Sequence, residues 1–155
     1  MSAIPLEKQN MNVIHALDFK THHFALEASQ YKELLKQGTA VSTIASIEDK
    51  HVGFAIWSRG AKGKPAHFIR FGVLPEFRKR GIGRKMMQWV ENDLREARKE
   101  SVIAILSQSL CLGPEDPDDV SGFMSKVGFT WFEQLSEMFH EYNQVFDGYK
   151  FERKL

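Results

Sequence analysis

The fold of this chain is decided by the stretch Val73-Leu74-Pro75-Glu76-Phe77-Arg78-Lys79-Arg80-Gly81-Ile82-Gly83-Arg84. It lies between an apolar run and a long amphipathic segment. Two glycines separated by one residue let the backbone turn tightly and approach a ligand closely. At the start of a helix, several amide groups have no partner within the helix, and the helix dipole adds partial positive charge. The stretch therefore predicts an anion-binding turn between a strand and a helix.

Basic residues crowd the same turn, and they are Arg78, Lys79, Arg80, Arg84 and Lys85. Cations at the start of a helix oppose its dipole, so this cluster favours an anionic partner such as a phosphate or a pyrophosphate. The alternative is a glycine-containing turn whose basic side chains are only solvated. The Gly-x-x-x-x-Gly-Lys-Ser/Thr spacing of a P-loop is absent, which excludes that class of nucleotide site.

Hydrophobic periodicity predicts the elements around this turn. Helices are expected over residues 19–37, 81–99 and 118–127, and the last would be capped by Asp118 or Asp119. A hairpin turn is expected at Asp49-Lys50. The predicted strands are 13–17, 41–48, 52–58, 68–73, 102–106, 129–139 and 149–155. This order predicts an α/β (α+β) class with a mixed sheet and helices on its faces.

Composition indicates an ordinary globular protein. The 155 residues fit one domain over 1–155, and 43% of them are apolar. The formal net charge of +1 does not favour a nucleic-acid or membrane-surface role. Cys111 is the only cysteine, which excludes an internal disulfide. No signal peptide or membrane span is visible, so the cytoplasm is the expected compartment.

The segment from Arg78 to Gly83 resembles the signature Arg/Gln-x-x-Gly-x-Gly/Ala of the GNAT superfamily of N-acetyltransferases. The preceding Val73-Leu74-Pro75 and the later Lys126-Val127-Gly128-Phe129 also look like that family. The resemblance covers nearly the whole chain. It implies a mixed, mostly antiparallel sheet of about seven strands flanked by helices. The sheet would be splayed between the fourth strand (66–74) and the fifth (102–110), where the cofactor enters.

The same resemblance implies acetyl-coenzyme A as the co-substrate, without a metal. Backbone amides of residues 79–84 would hold the pyrophosphate, and residues 71–73 would present backbone groups to the pantetheine and to the thioester carbonyl. Such groups stabilise a developing oxyanion. The cofactor-binding residues implied are Phe71, Gly72, Val73, Arg78, Lys79, Arg80, Gly81, Ile82, Gly83 and Arg84.

The implied activity is transfer of the acetyl group to a primary amine, by direct attack in a ternary complex. Candidate acceptors are a protein N-terminus, a lysine or a small amine, so the partner is either a protein or a small molecule. A homodimer is left open, and neither a membrane nor a nucleic acid is favoured as a partner.

The catalytic groups are not identified by the sequence. The family often uses a Tyr in the last helix to protonate the thiolate, but here that position is Met124, whose thioether donates no proton. The alternative function is therefore a non-catalytic acyl-coenzyme A-binding or regulatory module. Weak catalytic candidates are Ser107, Glu115 and Tyr142. Residues for which a surface or structural role is favoured over a catalytic one are His67, Ser121, Ser125, Glu133, Glu137 and His140.

Overall fold

The structure is a computed structural model, and it describes residues 4–5, 8–21, 28–107, 115, 119–141 and 143–155. Within these ranges the chain forms seven strands, four α-helices and a short 3-10 helix. Contacts divide it into two compact units, Met1–Lys99 and Glu100–Leu155. Every strand pairing inside either unit is antiparallel, and helices accompany both sets of strands. The predicted α+β class is confirmed, while the single domain over 1–155 stays a prediction.

The first unit contains four strands in the order β1-β2-β3-β4, together with three helices. Its strands are β1 (Ile4–Pro5), β2 (Ala40–Ile47), β3 (Lys50–Ser58) and β4 (Ala66–Val73). Its helices are α1 (Lys8–Thr21), α2 (Ala28–Gln37) and α3 (Ile82–Glu96). The turn between β2 and β3 is Glu48-Asp49, one residue before the predicted position, and both residues have positive φ. Two successive positive φ values suit the twist of a two-residue hairpin.

Strand β3 is covered on both faces, as its almost continuous apolar sequence requires. Phe54 and Ile56 belong to a buried cluster with residues of α1 and α2. Trp57 points the other way, because successive side chains of a strand alternate, and its indole donates to Asp93 of α3. Helices α1 and α2 therefore lie on one face of this sheet, and α3 lies on the other.

The predicted strand over residues 13–17 is wrong, because these residues form part of α1. Ile14 and Leu17 are buried three positions apart, while His15 and Ala16 between them are exposed. That spacing places the two apolar side chains on one face of a helix. The predicted helix over 19–37 is divided between the end of α1 and α2, and residues 22–27 lie outside the described ranges.

The second unit contains three strands in the order β5-β7-β6 and one helix. They are β5 (Ser101–Ser107), α4 (Val120–Lys126), β6 (Thr130–Glu141) and β7 (Gln144–Lys154). Asp119 caps α4 by accepting a hydrogen bond from the amide of Gly122 at 3.1 Å, as expected of one of the two predicted caps. Gly128 follows the helix with φ of 95°, which suits the left-handed residue at a helix C-terminus.

A buried polar cluster joins α1, α2 and β4 in the first unit. Asp18 has no exposed surface, and its carboxylate accepts hydrogen bonds from the hydroxyl of Tyr31 at 2.8 Å and from Nε of Arg70 at 2.7 Å. Burial, followed by the neighbouring Asp18 carboxylate, raises the pKa of Tyr31, which keeps its hydroxyl protonated as a donor. The hydrogen bonds from these two donors replace those to water that the carboxylate loses on burial.

We expect Asp18→Ala to lower the free energy of unfolding by about 3 kcal/mol, because removing one partner of a buried ion pair costs this much. Urea unfolding at pH 7 measures the change. The matched control is Asn12→Ala on an exposed position of the same helix, which should change stability by less than about 0.5 kcal/mol. Equal losses in the two variants would contradict a structural role for the cluster.

A second carboxylate, Asp93, joins α3 to β3. It accepts hydrogen bonds from the indole of Trp57 at 2.8 Å and from Nε of Arg59 at 3.0 Å. Burial alone would raise the pKa of Asp93, but the hydrogen bonds from Arg59 and Trp57 outweigh it and lower the pKa below the ordinary value of 3.8. The folded state therefore holds the Asp93 proton less tightly than the unfolded chain does.

This lowered pKa makes the contribution of Asp93 to stability dependent on pH. The contribution is present above the unfolded value of 3.8 and is lost as pH falls through the lower folded value. We expect Asp93→Asn to be less stable than the wild type by about 1–2 kcal/mol at pH 7, with the difference narrowing below pH 4. Urea unfolding between pH 7 and pH 2.5 tests this, with the exposed Glu33→Gln on α2 as the control. A constant difference across that range would contradict the prediction.

Candidate functional site

The connection from β4 to α3 forms the candidate anion site. After β4 ends at Val73, a 3-10 helix spans Pro75–Phe77, and α3 begins at Ile82. Gly81 precedes the helix with φ of 80°, and Lys79 has φ of 60°. A residue with a Cβ is disfavoured in this left-handed region, so the sequence places glycine at the final bend and accepts strain at Lys79. The predicted turn between strand and helix is confirmed.

The first turn of α3 begins with amide groups that have no partner within the helix. The first bond inside the helix runs from the amide of Lys85 to the carbonyl of Gly81 at 3.0 Å. The amides of Ile82, Gly83 and Arg84 precede that bond and have no carbonyl partner within the helix. Gly81 at the N-cap has no side chain to accept from them, and the first turn contains no acidic residue. This arrangement can hold an anionic group such as a phosphate.

The basic side chains of the turn have different surroundings. Lys79, Arg84 and Lys85 are exposed. The guanidinium carbon of Arg80 lies 5.2 Å from the centre of the Phe77 ring, within the range of a cation–π contact. The side chain of Arg78 is directed at the backbone of the protein, and its bonds are described below. The structure therefore leaves a rim of exposed cations beside the amides of α3.

Glu76 adds a negative charge near this rim. The pKa of Glu76 is lowered by a hydrogen bond from its own backbone amide and, to a smaller extent, by the neighbouring Lys50. Lys50 Nζ lies 3.6 Å from the Glu76 carboxylate, and the two side chains are both 58% exposed. Exposed ion pairs of this kind contribute little to stability. Glu76 thus remains charged and offsets only part of the positive charge around the turn.

Strand β4 carries the predicted thioester-binding residues beside a backbone irregularity. Its register with β3 shifts between Ile56 and Trp57, so that Ile69 is an extra residue in β4. Such β-bulges bend a strand and often lie next to active sites. Phe71, Gly72 and Val73 follow this bulge, and their backbone pairs with residues 53–55 of β3.

Gly72 allows a close approach between β4 and α1. A Cβ at this position would lie 2.4 Å from the side-chain oxygen of Thr21 and 2.9 Å from the Phe54 ring. Real side chains do not approach so closely, so this glycine is required by the packing of α1 on β4. Its predicted contact with a cofactor stays a prediction.

The catalytic candidates of the sequence lie at different places. Ser107 is buried at the end of β5, and Glu115 is exposed in a turn. Tyr142 lies outside the described residues, as does Cys111. Met124, at the position where the family often has Tyr, is fully buried in α4. Among the described positions, the surroundings of Ser107, Glu115 and Met124 assign none of them a proton-transfer role.

Several other polar candidates have structural partners within the second unit. The hydroxyl of Ser121 donates to the capping carboxylate of Asp119 at 2.8 Å. Glu133 lies 3.7 Å from Lys150 of β7. Glu137 lies in a register shift with φ of 51°, so β6 is irregular at this position.

Among the residues in the described ranges, no three or more His, Cys, Asp or Glu side chains are grouped so that they could hold a metal ion. None of the helices in the described part of the chain is both long enough and apolar enough to span a membrane.

Sequence reasoning missed the residues that fix β4, namely Asp18, Thr21 and Arg70. The sequence contained a signal for this cluster. Arg70 interrupts an apolar strand, and Asp18 lies one helical turn further along the buried face of α1. A charged residue in such a position is seldom buried unless it is paired. The partner of each residue could not be read from the sequence, since Asp18 and Arg70 are 52 positions apart.

Solved structures share this fold over almost the whole chain. The ribosomal-protein-S18-alanine N-acetyltransferase from Escherichia coli has a TM-score of 0.74 at 12% identity, covering 99% of this chain and 92% of that chain. Ard1 from Thermoplasma volcanium has a TM-score of 0.76 at 17% identity, covering 99% and 97%. A GNAT family acetyltransferase from Elizabethkingia anophelis with acetyl-CoA bound has a TM-score of 0.74 at 11% identity, covering 99% and 97%. At these identities the likeness shows a common fold.

Comparison with curated proteins finds no match to this sequence. Comparison with protein families matches residues 10–109 to the family described as the acetyltransferase (GNAT) family. The matched range covers more than half of the chain, and it includes the whole turn from β4 to α3. The family model and the fold agree, and the chain therefore belongs to the acetyltransferase (GNAT) family.

Proposed function

We propose that this protein is an acetyl-coenzyme A-dependent N-acetyltransferase that transfers the acetyl group to a primary amine. The observation that carries the proposal is the start of α3, where amides without helical partners lie beside exposed cations directly after β4. The helix dipole and the basic side chains both place positive charge at this point. An anionic ligand therefore relieves their mutual repulsion and also accepts hydrogen bonds from the amides. The pyrophosphate of coenzyme A has the required charge and shape.

The proposed reaction uses the backbone more than side chains. The amides of residues 79–84 bind the pyrophosphate, and the backbone of residues 71–73 orients the thioester and stabilises the oxyanion. The amine nitrogen attacks the carbonyl carbon, a C–N bond forms, and the C–S bond breaks as the thiolate leaves. An amine with a pKa near 10 must lose a proton before it attacks, since it is mostly protonated at neutral pH. The group that accepts this proton remains unassigned.

The acceptor is proposed only as a class. One structural neighbour is named for an alanine of a ribosomal protein, and another, NAA60 from Arabidopsis thaliana, was solved with a bisubstrate analogue. These names support including peptides with a free N-terminus among the acceptors to be tested, together with lysine side chains and small amines. The cytoplasm stays the proposed location.

A non-catalytic acyl-coenzyme A-binding module is the second candidate function. The observation that favours it is Met124, which is fully buried and occupies the position where the family often places a proton-donating Tyr. A thioether cannot protonate the leaving thiolate. Such a module would bind the cofactor through the same turn but would not release thiol in response to an amine.

Turnover separates the two functions. We expect release of free coenzyme A from acetyl-coenzyme A to increase when an amine acceptor is added, because direct transfer couples C–S cleavage to attack by the amine. The assay measures acetylated amine by mass spectrometry, using a peptide with a free N-terminus, a peptide with a lysine and a blocked N-terminus, and a polyamine. Tight cofactor binding with no acetylated product from any acceptor would favour the binding module.

The anion site itself is tested with Gly83→Leu. Leucine is a better helix former than glycine by about 0.5–1 kcal/mol, so the variant should be at least as stable as the wild type. Its side chain crowds the amides at the start of α3, and we expect the Kd for coenzyme A to rise by a factor of about ten or more, equivalent to about 1.4 kcal/mol. Calorimetric titration measures the affinity, and thermal unfolding measures the stability.

The matched control for this substitution is Gln88→Leu, at an exposed position further along the same helix. It adds the same side chain away from the first turn, so coenzyme A affinity should be unchanged. Wild-type affinity in Gly83→Leu, or an equal loss in the control, would show that the start of α3 does not hold the cofactor.

A further inference from the structure

The side chain of Arg78 donates hydrogen bonds to two backbone carbonyls of the protein. Its Nε lies 3.0 Å from the carbonyl of Val73, the last residue of β4. Its Nη2 lies 3.3 Å from the carbonyl of Thr21, the last residue of α1. The Arg78 amide also bonds to the Pro75 carbonyl at 3.2 Å. Arg78 therefore links the start of the basic turn to two elements that are distant in sequence.

The Thr21 carbonyl is a suitable anchor because the end of α1 is held firmly against β4. The Thr21 hydroxyl lies where a side chain at Gly72 would have to be. The same hydroxyl donates to the carbonyl of Leu17 at 2.8 Å, which fixes its rotamer. One turn earlier, Asp18 bonds to Arg70 of β4 at 2.7 Å. The last turn of α1 thus has little freedom to move relative to β4.

The chemistry of arginine explains why this side chain fits here. Arg78 supplies a donor and a positive charge to the Thr21 carbonyl. Its planar guanidinium places Nε and Nη2 in a fixed fork, so one side chain reaches the helix end and the strand end together.

We propose that Arg78 is a positioning residue, which fastens the turn before α3 to β4 and to the end of α1 so that the amides of residues 79–84 are held ready for the pyrophosphate. This inference rests on the proposed coenzyme A site and gives Arg78 a role in it other than contact with phosphate. Positioning of this kind lowers the entropy that ligand binding must remove from the turn. It also makes binding at the turn and order at the end of α1 depend on each other.

Two substitutions separate positioning from charge. Glutamine has its amide nitrogen at the same distance along the side chain as Nε of arginine, so Arg78→Gln keeps a donor for Val73 but loses the charge and the bond to Thr21. Arg78→Leu loses both bonds and the charge. If Arg78 instead bound phosphate through its charge, the two variants would be equally impaired.

The experiment measures the Kd for coenzyme A by calorimetry in the full-length wild type and in both variants. We expect the Kd to rise by at most about threefold in Arg78→Gln and by about tenfold or more in Arg78→Leu. The difference between the two variants corresponds to the one neutral hydrogen bond that glutamine keeps and leucine loses. The ratio of variant to wild-type Kd should stay constant between about 0.05 M and 0.5 M NaCl, because no direct ion pair with the ligand is being screened. The control is Lys62→Leu, which removes an exposed cation from the turn between β3 and β4 and should leave the Kd unchanged.

Hydrogen exchange provides a readout that a general loss of stability would not give. In the wild type, coenzyme A should slow exchange in the last turn of α1, and in Arg78→Gln this slowing should disappear although the ligand still binds. If Arg78→Leu proves unfolded by circular dichroism, Arg78→Gln alone tests the positioning role, through its Kd for coenzyme A and through its hydrogen exchange.

The outcomes are distinguishable from failure of the proposed function. A wild type that does not bind coenzyme A would overturn the proposed function and this inference with it. Binding by the wild type, together with equal losses in the glutamine and leucine variants that grow smaller as salt is raised, would overturn only the positioning role. Wild-type affinity in Arg78→Leu would overturn it as well.

Discussion

The packing of the last turn of α1 against β4 is the constraint on which the rest of the first unit depends. Asp18 brings a carboxylate into the interior, where Arg70 and Tyr31 are its donors. Breaking such a cluster is costly, although the intact pair adds little by itself. The cluster therefore mainly determines which face of α1 packs against β4. Gly72 has no side chain, and this allows the two elements to approach closely.

That contact leads directly to the candidate site. The carbonyls of Thr21 and Val73 are fixed by it, and Arg78 bonds to both. The turn that follows then bends through left-handed residues at Lys79 and Gly81 before α3 begins at Ile82. The candidate anion site thus consists of backbone groups, with basic side chains at its rim. A backbone site of this kind tolerates changes in side chains as long as the bend and the helix start are kept.

The sequence predicted most of the fold because the relevant signals are local. The helix predicted over 81–99, the strand predicted over 52–58 and the Asp119 cap of α4 depend on neighbours a few positions away, and all three are confirmed. The strand predicted over 13–17 is wrong because a short, mostly apolar run fits the period of a strand as well as that of a helix. Packing against Phe54 and Ile56 decided in favour of a helix, since Ile14 and Leu17 then share one buried face.

By itself, the sequence determined the turn at Gly81, the helix after it and the resemblance to an acetyltransferase family, since glycine spacing, charge and periodicity act over a few residues. Only the tertiary structure decided that Arg78 bonds to the protein backbone and that Gly72 makes room for Thr21. Arg78 and Thr21 are 57 positions apart, and Asp18 and Arg70 are 52 apart. The physical reason is that hydrogen-bond partners and close contacts at such separations are chosen by how whole elements pack, and no local pattern records that choice.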